Sequence, residues 1–102
     1  MLNNNLDIKR NNMEYNLNNI LTMHFVSCEF KKIHSLFKSK LNSHINNFVI
    51  DLQNIITIDS SGIALLVEIP NIAKRYNKQI KYINHTQDIH TLCKIYSIKI
   101  EA

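Results

Sequence analysis

The chain has one glycine, one proline and no tryptophan in 102 residues. A single glycine excludes the phosphate-binding loop and the dinucleotide fingerprint, which need several glycines to bring backbone amides close to a phosphate. Cys28 and Cys93 stand alone, without paired spacing. They read as reduced, small core residues and not as a disulfide framework or a metal site. No apolar run approaches the roughly 18 residues that cross a bilayer. The opening Met1-Leu2-Asn3-Asn4-Asn5 lacks the basic-then-apolar order of a signal peptide. The expectation is a soluble cytoplasmic protein of one domain.

What is present is an ordinary globular composition, 45% hydrophobic, with a net charge of +4. That balance suits anionic head groups or an acidic partner, and equally a plain solvated surface. The basic residues lack the aromatic interleaving of a nucleic-acid surface, so no nucleic acid is expected. Asn, Ile and Lys, the amino acids of AT-rich codons, are abundant, which reflects codon bias before function.

In chain order, residues 1–12 are polar, Asn-rich and aperiodic, and read as a disordered tail ahead of a domain over 13–102. Glu14 to Leu17 suggests a short edge strand, and Ile20 to Val26 has the composition of a strand. Ser27 is a candidate N-cap with Glu29 in the first turn. Phe30, Ile33, Leu36, Phe37 and Leu41 then recur at helical spacing. Phe48-Val49-Ile50-Asp51-Leu52 reads as a strand covered on both faces, and Ile55 to Ile58 as a further strand segment. A helix follows from about Ser60 to Tyr76, with Leu65, Leu66, Ile69, Ile72, Ala73 and Tyr76 inward and Glu68, Asn71, Arg75 and Lys78 wet. Ile63, Val67 and Pro70 form a strip on its shoulder, and Pro70 predicts a kink or break. Asn77 suits a left-handed helix end. Ile80 to Ile83 alternates like a strand, and Thr86 caps a last helix with Ile89, Leu92, Cys93 and Tyr96 inward. Ser97 to Ile100 reads as a final short strand or a packed tail. The order predicts an α/β fold, a mixed sheet of about four to five strands with helices packed on it.

Asp59-Ser60-Ser61-Gly62 is where strand gives way to helix, at the chain's only glycine. One reading is capping of the orphan amides of a new helix. The other is an exposed hydroxyl at a helix start, which favours an anion or an added phosphate. A catalytic serine is not supported, because no His and acid pair can be assigned to it. His85 and His90 are five residues apart, which does not put them on one helical face, and no metal or cofactor is expected.

Val49-Ile50-Asp51-Leu52 followed by Ile58-Asp59-Ser60-Ser61-Gly62-Ile63-Ala64-Leu65-Leu66 resembles the STAS domain of anti-sigma factor antagonists and sulfate transporters. Its hallmark is an apolar strand ending in Asp-Leu and, several residues on, Asp-Ser-Ser-Gly-Leu. The resemblance covers roughly Leu17 to Ile98. Thr91-Leu92-Cys93-Lys94-Ile95-Tyr96-Ser97-Ile98 is similar to the ending of the MlaB-type STAS subunits of Mla phospholipid-transport ABC complexes. That likeness implies a STAS fold and a non-enzymatic subunit, peripheral to the inner membrane through its partner, that binds the cytoplasmic ABC-transporter ATPase. The partner-binding residues would be Asp59, Ser60, Ser61, Gly62, Ile63, Val67 and Pro70. The antagonist branch implies the alternative: an anti-sigma factor kinase as partner, with Ser61 as its phosphorylation site. Pro70 departs from the family, whose helix is normally continuous.

Overall fold

The apolar segment before Leu52 becomes the central strand of a parallel sheet in the computed structural model, which describes residues 12–98. The elements are β1 (Asn12–Tyr15), β2 (Ile20–Leu21), α1 (Met23–Ser39), β3 (Asn47–Asp51), β4 (Thr57–Ile58), α2 (Ser60–Arg75), β5 (Gln79–Ile83) and α3 (Gln87–Ile95). The α/β class is therefore observed. The strands of the described residues form two ladders, β1-β3-β5 and β2-β4, and every pairing is parallel, where a mixed sheet was expected. Parallel neighbours need helical crossovers. Both crossovers step the same way across β1-β3-β5, so right-handed connections set α1 and α2 on one face, where they touch each other. Phe48 and Ile50 point into the core on that face, while Val49 on the other is only half-buried.

The core is built from Leu21, Ile33, Phe37, Phe48, Ile50, Leu52, Leu66, Ile69 and Ile72, all fully buried. Phe37 meets Phe48 edge to face at 5.0 Å between ring centroids, joining α1 to β3. α2 and α3 end alike. Asn77 and Ser97 turn left-handed at φ 59 and 54, so Lys78 N bonds Ala73 O and Ile98 N bonds Cys93 O, each at 2.8 Å. With glycine spent elsewhere, Asn and Ser take the positions glycine usually fills.

Several expectations need correction. The strand expected over Ile20–Val26 stops at Leu21 and α1 starts at Met23. Ser27 is thus inside the helix and not its cap. Glu29 is past the first turn, buried, with Oε1 3.8 Å from Lys32 Nζ. Phe30 is partly exposed and Leu41 lies beyond the helix end, exposed. Lys78 is buried, because the reversal at Asn77 takes it off the helix and its Nζ donates to Ile45 O at 2.6 Å. Tyr96 is the C-cap and stays exposed. Asn12 belongs to β1, opposite Asn47. The rest of the expected tail, and the expected strand beyond Ile98, lie outside the described residues; Ser97 itself is in the turn. α2 runs unbroken through Pro70.

Candidate functional site

The β2-β4 ladder pairs Ile20 with Thr57 and Leu21 with Ile58. Each strand leads almost at once into a helix, so the ladder places the starts of α1 and α2 side by side, beyond the carboxyl ends of parallel strands. Asp59 is the α2 N-cap, in extended conformation, and its Oδ1 accepts the Gly62 amide at 3.0 Å. Its Oδ2 accepts the Met23 amide, the first of α1, also at 3.0 Å. One carboxylate therefore closes two helices. The Gly62 N–H, opposed by partial desolvation and aided by the Met23 and Ser61 amides, holds the Asp59 carboxyl below the usual carboxylate range.

Gly62 is required for space and not for backbone freedom, since no glycine has positive φ. A Cβ there would fall on the Leu21 carbonyl oxygen and within 2.7 Å of Ile58 Cγ1 and 2.9 Å of Leu21 Cβ. The missing side chain is what lets α2 touch the backbone of β2.

The seven site residues read from the sequence separate in the structure. Ser60 is exposed, and Asp59, Ser61 and Pro70 are half-buried. Val67 is 38% exposed. Ile63 is 1% exposed and Gly62 is buried, so neither offers a surface to a partner; both sit on the inward side of the first turn. The shoulder strip is thus Val67 and Pro70 without Ile63. Two large apolar side chains at the ladder escape the sequence reading: Met23, just past its carboxyl end, is 68% exposed, and Ile56, just before its amino end, is 73% exposed. Met23 carries the amide held by Asp59, and the Ile56 amide donates to Asn19 O at 2.7 Å, beside Ile20. In the sequence both read as strand interior. Their apolar type is the only available signal, and it points inward.

Asp51, the other acidic residue of the motif, is also structural. It accepts the Gln53 amide at 2.9 Å and the Asn84 side chain at 3.3 Å, tying the ends of β3 and β5 together. His85 precedes α3, and its ring meets His90 edge to face at 5.3 Å, a pairing that residue spacing alone does not suggest. Burial, then the neighbouring His90, lowers the His85 pKa. These two line an open groove with Cys93 and Lys94. On the far flank of α1, burial and then Glu29 push the Tyr15 hydroxyl up to about 12. Among the described residues, no three His, Cys, Asp or Glu side chains converge as a metal site, and no helix is long and apolar enough to cross a membrane. Comparison with family models, curated proteins and solved structures returned no match.

Proposed function

We propose that this chain is a non-enzymatic STAS-type subunit that docks on, and supports, the cytoplasmic ATPase of an Mla-type phospholipid-transport ABC complex. The observation that carries the reading is the corner itself. An exposed Ser60 hydroxyl stands at the start of α2, where the Asp59 carboxylate holds first-turn amides of both α2 and α1, beside a large apolar side chain, Met23, left in water. Apolar anchors beside positioned hydrogen-bonding groups are what a protein interface uses. Val67 and Pro70 extend that surface along α2. Ser60 is the more accessible of the two serines, which favours this reading over an anti-sigma antagonist switched by phosphate on Ser61.

The test is affinity capture of the tagged chain from its native host, with mass spectrometry of the partners and of the Ser60–Ser61 peptide. An ABC ATPase with unmodified serines is the expected result. A kinase-like partner with phosphate on Ser61 would move the chain to the switch class. Ser60→Glu, Met23→Asp and Val67→Asp should each weaken ATPase binding at least about tenfold, as loss of an interface anchor does, with circular dichroism unchanged. Full affinity in all three variants sinks the interface.

A further inference from the structure

A proline inside a helix removes the amide that would bond the carbonyl four residues back and crowds the preceding turn. In α2 that residue is Pro70, and the carbonyl it leaves without a backbone donor belongs to Leu66. The turn is buried on its inner side, where water cannot substitute. The Leu66 oxygen nevertheless has a donor: the hydroxyl of Tyr82, on β5, at 2.6 Å. Tyr82 is 2% exposed, and burial raises its pKa above the ordinary phenol value, so the proton stays on the oxygen as donor. The two ends of α2 are fastened separately, by Asp59 at the start and by the reversal at Asn77.

We infer that Tyr82 is a positioning residue for the docking face: its hydroxyl takes the place of the amide Pro70 lacks, keeps the Leu66–Pro70 turn helical, and so sets where Val67 and Pro70 stand relative to Ser60. The positioning role rests on the docking reading above; the link between Tyr82 and Pro70 does not.

The experiment compares the full chain with Tyr82→Phe, Pro70→Ala and the double variant. Urea unfolding is measured on the isolated chain, and affinity on the ATPase captured from the host. With Pro70 present, Tyr82→Phe should lower the folding equilibrium constant about tenfold, the cost of a buried carbonyl left unpaired. In the Pro70→Ala background the loss should fall below about threefold, because the new amide reaches Leu66 O and satisfies the same acceptor. Equal losses in the two backgrounds would overturn the link. Should Tyr82→Phe fail to fold, folding of the double variant is the same rescue, and failure of both overturns the link. ATPase affinity, compared within each background, should drop several-fold for Tyr82→Phe when Pro70 is kept and hardly at all when Pro70→Ala is already in place. Unchanged affinity with Pro70 kept overturns the positioning role. A chain that binds no ATPase overturns the docking reading and that role with it, and the unfolding cycle still reads the Tyr82–Pro70 link.

Discussion

α2 is started by its own chain: Asp59 caps it through the Gly62 amide three residues on. α1 is started from elsewhere. Thr22 occupies its N-cap position but makes no side-chain cap hydrogen bond, and the carboxylate that holds the Met23 amide is again Asp59, 36 residues away in sequence. The same orphan amides exist at both starts. One is satisfied by a local signal and the other by a contact that exists only after β2 and β4 have paired. A helix can therefore begin where its own residues ask for a strand, provided a neighbour supplies the cap.

This contrast predicts a graded series of unfolding experiments. The largest effect belongs to Gly62→Ala, which drives a methyl group into the Leu21 backbone. It should cost about 3 kcal/mol or more, the upper range for overpacking, and should separate both helix starts. A stability near that of the parent chain would show that the ladder yields easily.

Asp59→Ala comes next, because it removes the acceptors of both caps together. Hydrogen exchange should accelerate at Met23 and at Gly62 alike; acceleration at Gly62 alone would show that α1 does not depend on the shared carboxylate. The variant should also lose a pH dependence. The folded Asp59 pKa lies below its unfolded value, so its contribution is complete above about pH 4 and fades as the pH falls through the folded value. The parent should lose stability across that acid range more steeply than Asp59→Ala does.

Thr86→Ala is the reference for one ordinary local cap. Thr86 Oγ1 accepts the Ile89 amide at 3.3 Å, and its loss should cost about 1 kcal/mol. The smallest effect is expected from Thr22→Ala. Its side chain does no capping, so the change should stay within about 0.5 kcal/mol. A cost equal to that of Thr86→Ala would mean that α1 has a cap of its own.

Where the signal is local, the sequence is readable. Thr86 and Asp59 cap the helices they precede, Asn77 turns left-handed, and Leu65, Leu66, Ile69, Ile72 and Ala73 face the core at helical spacing. Where the signal is non-local, the reading slips. Ile20 to Val26 is β-branched and apolar enough to pass for a strand, yet the intrinsic preference of those residues is worth less than packing α1 on the sheet and holding its first amide. Spacing puts Ile63 on an exposed shoulder because it gives an angle around the helix axis and not what lies opposite it. Met23 and Ile56 escape because exposure of an apolar residue leaves no mark in the chain.

The residues by themselves determined the α/β class, a helix from about Ser60 to Tyr76 and a cap within Asp59–Gly62, because periodicity and capping act over a few neighbouring residues. Tertiary structure decided three further things. The one glycine serves a helix-to-strand contact, the one cap carboxylate serves two helices, and the one proline sits in an unbroken helix whose free carbonyl meets a hydroxyl from β5. Each joins groups far apart along the chain, and such a contact exists only once the sheet has brought its two ends together.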